Sequence, residues 1–180
     1  MTTHIALLRG INVSGHNKIK MAELKQLFID LGFNEVTTYI QSGNVIFQSE
    51  QTTISKIEQQ IVELVKKEFG HIIKVLVLTK KQLKTVFESN PFLKNKAIDI
   101  KALYAILLKD NYIAEGIKLI EPYLTNNEEL KLIDNCVYIN YPIGAGKSKL
   151  TINIIEKKLK TIATSRNWRT ITKLVELSNL

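Results

Sequence analysis

The sequence predicts an α+β protein made of two related halves, the first running strand, helix, strand, strand, helix, strand and the second ending in a helix where its last strand is due. Three observations predict it. Strand-like apolar runs and helix-period apolar stripes alternate in that order, and the series restarts after residue 101. The run Ile72–Leu78 (IIKVLVL) is the best buried-strand candidate and closes the first series. Turn-forming residues, Ser42-Gly43-Asn44 and Asp134-Asn135, join the two middle strands of each series.

In chain order, His4–Arg9 reads as a strand that ends at Gly10. Met21, Leu24, Leu27, Phe28 and Leu31 recur at helical spacing, and Gly32 stops that helix. EVTTYIQ and VIFQS form a hairpin. A two-residue type II′ turn with Gly43 first would set Ile40 opposite Phe47. Ile54, Ile57, Ile61, Leu64 and Val65 mark a long amphipathic helix ending near Gly70, before the Ile72–Leu78 strand. This β-α-β-β-α-β order is the ferredoxin-like arrangement. A short helix, Lys81–Glu88, leads into a connector. In the second series Leu103–Lys109 is a strand, and Ile113, Ile117, Leu119 and Ile120 predict a helix stopped by Pro122. Leu130–Ile133 and Val137–Tyr141 predict a hairpin, and Ile152, Ile155, Leu159 and Ile162 a further helix. Where a sixth strand is due, Ile171, Leu174 and Val175 predict a terminal helix. The expected division is residues 1–90 and 102–180 as ferredoxin-like halves with 91–101 between them, able to form one compact unit.

Composition narrows the function classes. The chain has 180 residues, 45% apolar and 23% charged, which excludes the signature of disorder. No apolar run approaches the roughly 18 residues of a membrane span, and the four apolar residues before Arg9 are too few for a secretory leader. One cysteine, Cys136, rules out an internal disulfide. The expectation is a cytoplasmic globular protein with no membrane partner.

The net charge of +8 is unevenly placed. Four segments, Arg9–Lys20, Gln41–Asn44, Tyr141–Lys149 and Thr164–Lys173, hold eight cations and no Asp or Glu. The remainder balances 17 basic against 17 acidic side chains. Each segment adjoins a strand end or a helix entrance, where ligands collect and anions are favoured. Arginine can grip oxyanions in a bidentate fork, and glycines let backbone N–H groups approach a phosphate. The expected anion-binding residues are Arg9, Asn12, Lys18, Lys20, Gln41, Ser42, Asn44, Ser148, Lys149, Arg166, Asn167 and Arg169. The competing reading is that the glycines serve tight turns and the cations are solvated.

Other chemistry is sparse. GAGKS resembles a phosphate-binding Walker loop, but that motif needs glycine at position 141, where Tyr141 stands before Pro142. It reads as a glycine-rich, anion-contacting turn. His16 is the one histidine in a basic segment, and no His or Cys pair has metal-ligand spacing, so neither a metal nor a cofactor is expected. Cys136 opens an apolar strand and reads as packing, as does the lone Trp168, the alternative for Trp168 being a stacked base.

At RGINVSGHNKIKMAEL, TYIQSGNVIF, GAGKSKL and TSRNWRTITKLVEL the chain resembles the bacterial family called domain of unknown function 1697. The resemblance implies a duplicated, intertwined ferredoxin-like protein and no established activity. It places recurring polar positions at Arg9, Asn12, Lys18, Lys20, Gln41–Asn44, Ser148, Lys149, Arg166, Asn167 and Trp168. The function expected is a binding module for an anionic ligand, either a phosphorylated small molecule or nucleic acid. The alternatives are a metal-independent enzyme on a phosphorylated or carboxylated substrate, and a protein-interaction domain using an open sheet edge.

Overall fold

A computed structural model describes residues 1–13 and 15–179. The chain is α+β with two four-stranded antiparallel sheets, two similar halves and a helix at its C-terminal end. It forms two compact units, Met1–Lys84 with Leu174–Leu180, and Thr85–Lys173. The closing residues of the chain thus belong with the opening ones.

In the first unit β1 (Thr2–Arg9), β2 (Asn34–Tyr39), β3 (Asn44–Ser49) and β4 (Lys74–Thr79) stand in the order β2-β3-β1-β4. The best strand of the sequence, β4, is therefore an edge, and its apolar run is shorter than the pattern implied because Ile72 lies outside it, exposed. Helices α1 (Met21–Asp30) and α2 (Ile54–Phe69) pack on the sheet face that carries Ala6, Leu8, Val45, Phe47, Val75 and Val77. Ile57, Ile61 and Val65 bury one stripe of α2, and Gly70, at φ +69°, returns its N–H to the Lys66 carbonyl as a left-handed cap. Phe28, Phe33 and Phe47 interlock at ring separations of 4.5 to 5.9 Å, and His4 stacks on Phe47 at 5.6 Å.

The hairpin differs from its sequence reading. Tyr39 pairs with Asn44, so Ile40–Gly43 is a four-residue loop and Ile40 does not face Phe47. The Asn44 amide closes this loop by donating to the Tyr39 carbonyl and to Ser42 Oγ, both at 3.0 Å. Gly43 sits so close to Leu8 and Ile11 that a Cβ there would meet their side chains at 2.7 to 2.9 Å. That close approach and the Asn44 clamp fix the longer loop.

In the second unit β5 (Leu103–Leu108), β6 (Glu129–Ile133), β7 (Cys136–Asn140) and β8 (Ala163–Asn167) stand in the order β6-β7-β5-β8. The expected missing sixth strand is present: β8 pairs with β5 from Leu108↔Ala163 to Tyr104↔Asn167. It escaped notice because ATSRN is short and polar, and runs directly into α5 (Trp168–Leu177). The helix expected around Ile113–Ile120 is instead two short 3-10 turns, Ala114–Leu119 and Glu121–Tyr123. Gly116 explains part of this, because a Cβ there would come within 2.1 Å of the Lys158 carbonyl. This segment lies against α4 (Ile152–Leu159) with its backbone, where a regular helix would hold a side chain. The remaining helix, α3 (Lys80–Glu88), carries the chain from the first unit into the second.

Candidate functional site

Two of the four cationic segments meet in the first unit, at the carboxyl end of β1. Ile11 and Ile19 anchor the loop that follows Arg9 in the core, leaving the polar residues between them on a short arch. Asn12, at φ +54°, holds the arch: its Oδ1 accepts the Ile19 N–H at 2.9 Å, and its Nδ2 donates to the carbonyls of Ile19 at 2.9 Å and Gln41 at 3.0 Å. The Gln41 bond ties the arch to the β2–β3 loop. Asn17 braces the other side by donating to the Gly10 carbonyl at 2.9 Å. Asn12 therefore spends its amide on backbone groups, and Asn44 donates to the Tyr39 carbonyl and Ser42 Oγ. They are clamps that shape the loops, whereas the expected role was ligand contact.

Lys18, Lys20, Gln41 and Ser42 are exposed and Arg9 is half-buried. Lys20 Nζ lies 3.2 Å from Glu23 Oε1, so a carboxylate does reach this cluster from the first turn of α1, in an exposed pair of the kind worth little. Strand pairing adds residues that the sequence did not point to. Lys74 opens β4 directly opposite Arg9, and the His71 ring nitrogen is 3.3 Å from the Lys18 carbonyl. Arg9 and Lys74 thus stand side by side at this end of the sheet. The register that creates this pair is non-local, which is why spacing along the chain could not reveal it.

The other two segments meet in the second unit, at the amino end of β5. The Tyr141 N–H donates to the Ala102 carbonyl at 2.9 Å, and Asn167 Nδ2 donates to the Lys101 carbonyl at 3.0 Å. Lys101, exposed, is thereby added to the group. Asn167 Oδ1 also accepts the Arg169 N–H at 3.0 Å, capping α5 and leaving Arg169 exposed in its first turn. The GAGKS stretch is a turn at Gly144 (φ +95°) followed by a 3-10 turn, Ala145–Lys147, while α4 begins later behind a Thr151 cap. A Walker loop would deliver its Lys-Ser onto the helix itself, so that reading fails. Ser148 Oγ accepts the Leu150 N–H at 3.0 Å, and Lys149 is exposed beside it.

Arg166 departs furthest from expectation. It lies in β8 opposite Ala105, buried, with Nη1 donating to Thr164 Oγ1 at 3.0 Å and to the Ser165 carbonyl at 2.9 Å. Burial pulls its pKa down to about 10, which still leaves it charged at neutral pH. Trp168 is also buried, stacked on Phe87 at 5.6 Å, and is a packing residue. Carboxylates stand near this end too: Asp99 Oδ1 accepts the Lys101 N–H at 2.9 Å, and Glu128, buried, accepts the Thr125 N–H through Oε2. Burial first, and Glu128 with it, raises the pKa of Tyr141. Among the described residues no group of His, Cys, Asp and Glu could hold a metal ion.

A cavity of about 400 Å³ lies elsewhere in the first unit, lined in part by Phe33, Asn34, Ser49, Gln51 and Gln60. None of the expected site residues lines it.

The family described as "Protein of unknown function (DUF1697)" matches residues 1–138, a stretch that ends before GAGKSKL and TSRNW. No curated protein matches the chain. The solved structure of a conserved bacterial protein from Streptococcus pneumoniae superposes with a TM-score of 0.77 at 22% identity, covering 98% of each chain. At that identity the likeness establishes the fold.

Proposed function

We propose, from the premise that the chain belongs to the DUF1697 family of proteins of unknown function, that it is a binding module for an anionic ligand. The ligand class is a phosphorylated small molecule or nucleic acid. The observation that carries this reading is the bond from Asn12 to the Gln41 carbonyl. It holds the cationic arch against the β2–β3 loop, so that Arg9, Lys18 and Lys20 share one sheet end with Lys74 opposite Arg9. Lys101, Lys149 and Arg169 supply a second cationic group in the other unit. A single-cysteine chain whose thiol is buried fits a cytoplasmic setting.

The test is the anisotropy of a labelled single-stranded oligonucleotide, with inorganic phosphate as competitor, across a salt series. Binding should weaken with salt, with a slope reduced by about 0.7 for each phosphate-contacting cation removed. Lys18→Ala and Lys149→Ala separate the two groups of cations, and both are exposed enough to leave the fold intact. Binding that ignores salt, or absent binding of both probes, rejects the reading.

A further inference from the structure

Three loops crown the carboxyl end of β1, and each turns a β-branched aliphatic side chain outward. Val13 on the arch is 57% exposed, Ile40 on the β2–β3 loop 47%, and Ile72 on the segment before β4 80%. The loops are physically joined. Asn12 bonds the first to the second, and the His71 ring meets the Lys18 carbonyl, linking the third to the first. Ile40 holds φ +50°, a region that β-branched residues avoid, and its side chain gains no core burial there.

Lysines flank these tips along the chain, Lys20 among them paired with Glu23. Lys18 and Lys20 follow Val13, Lys74 follows Ile72, and Lys66 lies in the last turn of α2, which ends at the same loop. None of the three loops, Gly10–Lys20, Ile40–Gly43 or Gly70–Ile73, contains Asp or Glu, and none contains Phe, Tyr or Trp. Nucleic-acid grooves that lack sequence preference use rows of aromatic platforms; these loops offer two imidazoles, His16 and His71, and the His71 ring is taken up by stacking on Phe69 at 6.4 Å. Separate aliphatic tips on a cationic ground suit a surface that is anionic at its head and apolar just beneath, and that moulds itself to protruding loops.

We infer that this end of the first unit docks on an anionic lipid surface, with Val13, Ile40 and Ile72 entering the headgroup boundary and the lysines pairing with lipid phosphates and carboxylates. The inference rests on the anion-binding reading and assigns that site's anion to a membrane face. A surface contact requires no spanning segment, and no helix among the described residues is long and apolar enough to cross a membrane.

The experiment is co-sedimentation of the full chain with phosphatidylcholine vesicles, with and without phosphatidylserine, beside the oligonucleotide and phosphate titrations. The chain should bind the phosphatidylserine vesicles and not the neutral ones. Val13→Ser with Ile72→Ser should weaken vesicle binding about tenfold or more while leaving oligonucleotide and phosphate binding unchanged. Lys18→Ala should weaken it about fivefold. Ile72→Ser alone, at the most exposed of the three positions, keeps the test usable should the double variant fold poorly. Oligonucleotide or phosphate binding without vesicle binding overturns the inference and leaves the anion reading standing. Vesicle binding that the serine substitutions do not change overturns it as well. Binding of no probe at all removes both.

Discussion

The Glu58 carboxylate on α2 accepts the backbone N–H of Val77 at 3.0 Å, on an edge strand that has only β1 as a sheet neighbour. The second unit repeats the device: Glu156 on α4 accepts the N–H of Ala163 at 2.9 Å, on the edge strand β8. A helix glutamate thus occupies a ladder position on one edge of each sheet, which blunts strand-to-strand association there. Glu58→Ala leaves a buried amide without its acceptor and should lower the unfolding free energy in urea by about 1–3 kcal/mol, whereas Glu58→Gln keeps an acceptor and should cost less.

Gly43 combines φ +76° with contacts that leave no room for a side chain. Gly43→Ala should destabilise the protein by about 1–3 kcal/mol and weaken anion binding by displacing the β2–β3 loop from Asn12. Urea unfolding and the oligonucleotide titration read the two effects separately.

His4 is fully buried, and neither ring nitrogen has a hydrogen-bond partner among the described residues. Burial lowers its pKa below the ordinary 6.5. The unfolded chain therefore binds this proton more readily than the folded one. Stability is complete above about pH 6.5 and falls as the pH drops below it. His4→Phe should flatten the acid limb of a stability–pH curve measured by urea unfolding. An unchanged limb would assign the acid sensitivity to other groups.

Burial pushes the Cys136 thiol up to about 12. At pH 8 the folded protein then holds more than about a thousandfold less thiolate than a free cysteine does. An aromatic disulfide reagent should label Cys136 slowly in buffer and at once in urea.

Helices α2 and α4 both end in a left-handed residue, Gly70 in one and Lys160, at φ +52°, in the other. Lys160→Gly removes the Cβ penalty and should raise stability by about 0.5–1 kcal/mol, read as an increase in the urea midpoint.

Amphipathic periodicity made α2 and α4 legible, and the Asp134-Asn135 turn between Ile133 and Cys136 was plain from turn chemistry. Elements that owe their form to distant partners were not. Strand β8 is defined by its pairing with β5, and the turns around Gly116 by the backbone of α4. The same division holds at the site. The acid-free segments were visible as composition, but Lys74 and Lys101 join them through strand register and backbone bonds. Asn12 and Asn44 have the side chains of ligand-binding residues, yet their amides are consumed by groups close by. Arg166 has the charge of a surface grip and the burial of a core residue. Residue type states what a group can donate, and the fold decides where that donation goes.

The first unit is discontinuous along the chain: it takes Met1–Lys84 and Leu174–Leu180. A nascent chain that has emerged as far as β4 has made both helices and all four strands of that unit, yet not its last piece. Completion waits until the ribosome has translated the whole intervening unit. The usual order, in which the leading part of a chain finishes folding before the trailing part is made, does not apply to this polypeptide.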